Sequence, residues 1–396
     1  LPVSASILAD SAALRPDLVA LRRALHARPE AGFALPRTQR AVLTALASLD
    51  LEVTPGPPGF TSIVAILRGA RPGPSVLLRA DMDALRVTEE TGLPFASRTP
   101  GLMHACGHDL HTAALVGAAK LLSARRDEIA GSVVFMFEPG EEAGGGAQRL
   151  ISEGVLSGVE AAYGIHVLPG RAGVFTTRPG SVMAGASSLT VRVLGRSGHG
   201  SRPHQAVDPV PAAAQIISAL HTYVTRRFPV FDPVALSVTT MQASEIINAI
   251  PDEATLGATI RALSPESVEI LARELPSLTS GIASAFGCRA ETEFRSVYPV
   301  TSNAPEAAAR ALTVLSDLFG PERAVPLEHP IMASESFSAV LNEVPGAFLF
   351  LGTTPAGTDP DTAEMNHSPR AVFDDNVLPD QAAALATLAL SHLHHP

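Results

Sequence analysis

Residues 101–115 read GLMHACGHDLHTAAL, and they set Cys106, one of only two cysteines in the chain, among His104, His108 and His111. Cys106 and His108 are two positions apart. In extended backbone, residues i and i+2 point the same way, so this pair is positioned to meet one ion. A thiolate and a neutral imidazole suit Zn²⁺ and similar transition metals. The same letters also describe a small buried cysteine in a helix-entry loop flanked by solvated histidines. His104 and His111 read as supporting groups rather than direct ligands.

A second stretch, FMFEPGEEAGGGA, ends an apolar run in Pro139–Gly140 and then places Glu141 beside Glu142. Crowded carboxylates repel unless a cation compensates. Beside a metal, one carboxylate can ligate while its neighbour acts as general base on a water whose pKa the metal lowers. The competing reading is an acidic pair at the first turn of a following helix, favoured by the helix dipole. In LLRADMDAL, Asp81 and Asp83 close another apolar run, where either can ligate or hold a ligand histidine in place. His166 in YGIHVLPG and His367 in EMNHSPRAVFDD complete the candidates. Taken singly, each histidine reads more readily as a satisfied structural group than as a ligand. Together, a thiol, several imidazoles and a carboxylate pair fall in loops or at strand ends. No HExxH helix, paired CxxC, GxSxG elbow or P-loop accompanies them.

The elements that must position these residues alternate between helical and strand patterns. Residues 17–30 and 38–50 have helical periodicity. Residues 61–69, 75–83, 131–139 and 161–170 read as strands, and near-continuous apolar runs such as 75–83 mark buried central ones. A helix is expected over about 110–125, with Asp109 placed to cap it. This alternation predicts an α/β layer with helices covering a parallel or mixed sheet. Near residue 184 the pattern changes to strand, helix, two strands, helix, strand, a small α/β sandwich with both helices on one face. Residues 1–183 and 298–396 are therefore assigned to a catalytic, metal-binding domain and 184–297 to an inserted lid or dimerisation domain.

The chain has 396 residues and a net charge of −10. That balance argues against nucleic acid as the partner, because phosphate neutralisation needs a concentrated basic surface. No apolar run reaches the roughly 18–20 residues that span a bilayer, so no membrane role is expected. The opening LPVSASILADSAALRPDL lacks the basic n-region of a secretory signal, which points to a cytoplasmic location. The lack of an initiator Met leaves room for an upstream segment. In such a chain a Cys106–Cys288 disulfide is the less favoured reading, and Cys106 is taken as a ligand.

With these residues assembled, the sequence resembles the binuclear-metal amidohydrolases related to aminoacylase and glutamate carboxypeptidase, in the branch of hippurate hydrolase, indoleacetyl-amino-acid hydrolase and N-acetyldiaminopimelate deacetylase. The matching motifs are LRADMDAL, MHACGHDLHTAAL, GSVVFMFEPGEEAGGGA, GIHVLPG, GRSGHGSRPH, INAIPDEATLGATIR and MNHSPRAVFDD, in family order over nearly the whole chain. The resemblance implies Cys106, His108, Glu142, His166 and His367 as ligands of two divalent ions (Zn, Mn, Co or Ni), with Glu141 as base and proton shuttle. It implies His199 as the group that stabilises the oxyanion. Asn248 and Arg261 would hold the substrate, Arg261 gripping its carboxylate through the guanidinium fork. It further implies hydrolysis of small N-acyl amino acids and assembly as a homodimer or higher homo-oligomer. A dipeptidase or aminopeptidase of the same site type, and a catalytically silent metal-binding homologue, are the alternatives. The chain departs from the pattern at several places. Ser336 stands where Asp is usual, Glu138 and Gly140 replace the more usual Gln and Ala, and Arg86 replaces Pro. The segment before Asn248 also lacks the usual glycine pair.

Overall fold

Apolar runs too long to alternate in and out form the middle of an eight-stranded mixed sheet in the computed structural model, which describes residues 3–394. The strand Arg71–Asp81 pairs in parallel with Ala130–Glu138 on one side and Val159–Arg171 on the other, and Val159–Arg171 pairs in parallel with Gly346–Thr354. Outside this parallel centre, Ile63–Arg68 and Glu52–Pro55 add antiparallel edges. Phe175–Thr177 and Ala324–Pro326 extend the far side. Parallel strands share one direction, so their carboxyl ends emerge together, the place where α/β sheets present ligand-binding loops.

One continuous core fixes this arrangement. Leu78, Ala80, Val133, Phe135 and Tyr163 from the strands pack with residues of two helices, His108–Ser123 and Leu378–His394. The first helix extends from Val3 through Pro16 to His26, longer than its expected span, and the second covers Pro36–Leu46.

The helix carrying the metal-motif histidines begins at His108, and its N-cap is Gly107 without a side-chain cap. The expectation that Asp109 caps it is corrected. Asp109 is fully buried and turned toward Arg22 and His26, with Arg22 Nε 2.7 Å and His26 Nδ1 2.8 Å from its Oδ2. A buried carboxylate takes the strongest cationic partners it can reach, and these outweigh one backbone N–H.

A second compact unit comprises Met183–Thr301 with Pro330–Glu335. Its four-stranded antiparallel sheet runs Val234–Gln242, Glu253–Ala262, Gly185–Leu194, Arg289–Tyr298 in spatial order. Leu189, Val191 and Val193 face its core with Ile216 and Leu220 of one helix and Leu271 and Leu275 of the other. The alternate residue Arg192 lies on the opposite face, paired with Glu253 and Glu291. This alternation is what covering only one face of an antiparallel sheet requires. Among the described residues, no helix is long and apolar enough to cross a membrane.

The loop that leads to the metal motif is tied down by Glu89, which accepts from the Ser97 backbone N–H at 2.6 Å and from Thr91, and pairs with His26 at 3.2 Å. Burial works to raise the Glu89 pKa, but these donors outweigh it and bring it from 4.5 to about 2. A depressed carboxyl pKa stabilises the folded state above the unfolded value and loses that contribution as pH falls through the folded one. The acid limb of stability should therefore steepen between about pH 4.5 and 2. Glu89→Gln is expected to flatten that limb in urea titrations at stepped pH; an unchanged slope would assign the acid sensitivity elsewhere.

Candidate metal centre

The carboxyl end of the strand Arg71–Asp81 delivers Asp81 and, two residues on, Asp83. Asp83 does not turn its carboxylate to a metal-type position. Its two oxygens accept the backbone N–H groups of Glu141 and Glu142, at 3.0 and 3.2 Å, while its carbonyl accepts from His108 Nδ1 at 2.8 Å. One residue thus sets the glutamate pair and orients the imidazole. Because Nδ1 donates, Nε2 of a neutral His108 presents a lone pair. That atom is buried with no hydrogen-bond partner.

Between Cys106 and His108 the backbone is not extended, as the i, i+2 argument assumed. Gly107 has φ +82°, and a Cβ there would lie 2.3 Å from the Val167 side chain. Glycine tolerates this left-handed turn at a crowded point. Cys106 and His108 stay within hydrogen-bond reach of each other, and each also joins a group that includes Glu142. Cys106, Glu142 and His367 offer donor atoms within 4.8 Å of one another, and so do His108, Glu141 and Glu142. The Cys106 sulfur is also 3.4 Å from His166 Nε2. His166 Nδ1 donates to the Val167 carbonyl at 2.8 Å, leaving Nε2 aimed into the cluster. A third group within the same 4.8 Å limit joins Asp81, His108, His111 and His166. In it His111 is already satisfied at both nitrogens: Nε2 accepts from Val167 N–H at 2.9 Å and Nδ1 donates to Asp81 at 2.6 Å. That is a supporting role. Burial pushes the His104 pKa down to about 3, so it stays neutral.

Gly140, at φ +77°, makes the turn that brings the glutamates back over the strand end, and a Cβ there would strike the Phe33 ring at 2.2 Å. The following helix starts only at Gly146, so Glu141 and Glu142 do not sit in a helical first turn. The adjacent carboxylates take different partners. Glu142 Oε1 is 3.0 Å from His367 Nε2, whereas Glu141 Oε1 accepts the Ser336 backbone N–H at 3.2 Å. His367 is the one non-glycine residue with positive φ (73°) among the described residues. Such strain is tolerated where the surroundings over-determine a functional position, and its N–H is tied to the Ala105 carbonyl at 2.8 Å.

Charges in the cluster are polarised. Burial works to raise the Cys106 pKa, but His166 and His108 overcome it and hold the thiol well below its usual range. Burial opposes charge on His108, yet Asp81 and the sulfur hold it well above the usual imidazole range. Cys106 and Glu142 push His367 up to about 10. The anions of this site draw positive charge onto His108 and His367, whereas burial keeps His111 below the usual imidazole range. That behaviour, the orphaned His108 Nε2 and the mixed thiolate, imidazole and carboxylate donor set fit divalent transition-metal ions. Both cysteines are free thiols.

Asn366 was not singled out from the sequence. Its Nδ2 donates to the carbonyls of Cys106 and Val167 at 3.2 and 3.1 Å, and lies 3.6 Å from the Cys106 sulfur. Its place beside His367 was the only available signal. Arg79, also missed, is buried against Asp81 and Glu138.

The remaining candidates lie in the second unit. Strand pairing sets His199 opposite Ala249, and the Gly200 N–H donates to the Asn248 carbonyl at 2.8 Å, so His199 and Asn248 are neighbours. His199 Nδ1 accepts from the Ser201 backbone N–H at 3.1 Å. The proton of a neutral His199 is therefore on Nε2, which is free to donate. Arg261 spends Nη1 on Thr259 Oγ1 and the Ile260 carbonyl, at 2.9 and 3.0 Å, leaving the Nε–Nη2 edge of the fork.

Asn366→Ala is expected to leave the fold intact and weaken metal retention about 10-fold, read by chelator competition and elemental analysis. Unchanged retention would show that the cysteine loop and the His166 strand are held together without it.

The sequence pattern of peptidase family M20/M25/M40 matches residues 77–391. Thermostable carboxypeptidase 1 of Saccharolobus solfataricus is 38% identical over 378 residues, covering 94% of each chain. N-acetylcysteine deacetylase of Bacillus subtilis is 34% identical over 381 residues, covering 94% of this chain and 96% of the relative. A dinuclear metal binding peptidase of Bacillus subtilis, known by crystal structure, superposes with a TM-score of 0.83 at 31% identity, covering 97% of this chain and 99% of that one.

Proposed function

The chain belongs to peptidase family M20/M25/M40 and is a metal-binding hydrolase of the amidohydrolase and peptidase type, and from that premise we propose that it cleaves the amide bond of N-acyl amino acids. The observation that carries this reading is the division of labour between adjacent carboxylates. Glu142 faces His367, while Glu141 is held by the Ser336 N–H in the group it shares with His108 and Glu142. Cys106, His108, Glu142, His166 and His367 would hold two divalent ions, for which Zn, Mn, Co and Ni all suit the donor set. When bound, such ions polarise a carbonyl and lower the pKa of water.

The chain's own residues supply the rest. Glu141 is 6% exposed, near enough to solvent to meet a water and dry enough to keep the proton it takes. It accepts that proton as the water attacks and returns it to the departing amine, the two halves of general acid–base catalysis. His199 Nε2–H donates to the oxygen that gains charge, a role its Ser201-fixed tautomer suits. The open edge of Arg261 matches a planar substrate carboxylate in two parallel hydrogen bonds, and Asn248 contributes amide donors and acceptors. Exposed apolar side chains on the second unit, Phe231 and Ile247 foremost, fit a homodimer.

The test is a panel of N-acetyl, N-benzoyl and N-indoleacetyl amino acids beside unblocked dipeptides, assayed with metal-reconstituted enzyme. Turnover of the acylated set supports the proposal, and exclusive cleavage of unblocked dipeptides overturns it in favour of a dipeptidase. In the same assay Glu141→Gln is expected to lose about 10²–10⁴-fold in kcat, the usual weight of a positioned acid–base group, with metal content unchanged. Activity close to the parent's would remove Glu141 from the role.

A further inference from the structure

Two positions where the sequence departs from the pattern it resembles, 138 and 336, are in direct contact in the fold. Strand register sets Asp81 beside Glu138 on neighbouring parallel strands, and both are fully buried. Arg79, on the same strand face as Asp81, lies between them. Its Nη1 donates to Asp81 Oδ2 at 2.8 Å, its Nε to Glu138 Oε2 at 2.8 Å and its Nη2 to Ser336 Oγ at 2.7 Å. The Ser336 hydroxyl accepts from Arg79 and donates its own hydrogen to Glu138 Oε1 at 2.7 Å. From the same residue, the backbone N–H donates to Glu141 Oε1.

The donor and acceptor roles at the Glu138–Ser336 contact are complementary. A carboxylate at 138 has no hydrogen to give, so the facing side chain at 336 must bring one while still accepting from Arg79, and a hydroxyl does both. A carboxylate at 336 would instead face Glu138 as a second buried anion. With an amide at 138 the requirement reverses: the amide supplies the hydrogen and a carboxylate at 336 receives it. The two departures are therefore one exchange, in which a negative charge and a hydrogen-bond donor have traded places across a single contact.

We propose that Glu138 and Ser336 form a matched pair that, with Arg79, positions the Glu141 carboxylate through the Ser336 backbone amide. They are positioning residues, and the proposal rests on the reading of Glu141 as the proton-transfer group. It predicts that the pair is exchangeable only as a pair.

The test is a cycle of Glu138→Gln, Ser336→Asp and the double variant, each reconstituted with metal and measured for kcat, KM, metal content and melting temperature. Each single change is expected to lower kcat by about 10–100-fold with KM within about threefold and metal content unchanged, and the double change to recover kcat to within about fivefold of the parent. A double variant whose loss equals the product of the two singles overturns the proposal. Should a single variant fail to fold, Ser336→Ala and Ser336→Thr serve. The threonine keeps the hydroxyl and is expected to retain kcat, and the alanine to lose about tenfold at unchanged KM. Equal kcat in these two overturns the proposal as well. Glu141→Gln is run alongside to separate the two readings. Near-parent turnover there refutes the assigned proton shuttle itself, whereas lost turnover with an additive cycle refutes only the coupling.

Discussion

Parallel pairing of the strands Arg71–Asp81 and Ala130–Glu138 puts Asp81 beside Glu138, and two buried carboxylates side by side can both stay ionised only against a cation. Arg79 is that cation. Once it is in place, Asp81 is free to receive His111, whose other nitrogen takes the Val167 N–H. The Val167 carbonyl in turn receives His166 Nδ1 and Asn366 Nδ2, and Asn366 reaches back to the cysteine loop. A continuous chain of polar contacts thus runs from one guanidinium to three of the segments that carry the candidate ligands. Such a network is valuable only when every member is satisfied, because a partly satisfied buried network costs more than an apolar core.

The same framework gives the two adjacent glutamates different partners. Asp83 holds both backbone N–H groups and fixes the turn, and the side chains of Glu141 and Glu142 take different partners. Glu142 enters the cluster that polarises Cys106 and His367. Glu141 is anchored from the Ser336 segment, and its carboxylate shares a group with His108 and Glu142. Chemistry that both binds a cation and moves a proton needs two carboxylates, since one committed to the cation is a poor proton carrier.

Much of the centre was legible in the letters because its signals are local. A cysteine and histidine around a glycine, two adjacent glutamates after a buried strand, and an aspartate pair at another strand end each announce chemistry within a few positions. The mixed α/β architecture was legible for the same reason, since buried parallel strands write themselves as apolar runs. The finer geometry was not. Asp109 read as a helix cap because its position suits one, but Arg22 and His26 claim its carboxylate. The cysteine–histidine spacing read as an extended pair, but Gly107 makes a left-handed turn between them, and the two side chains meet all the same.

Sequence alone determined which residue types are available for metal binding and proton transfer, and which strands and helices present them, because those properties depend on side-chain chemistry and on periodicities a few residues long. Only the tertiary structure decided who partners whom. Arg79 meets Ser336 across 257 positions, and Asn366 meets Cys106 across 260. No local pattern encodes such contacts. They follow from strand order and register, which bring distant carboxyl ends together, and from the demand that each buried charge found there be answered by another.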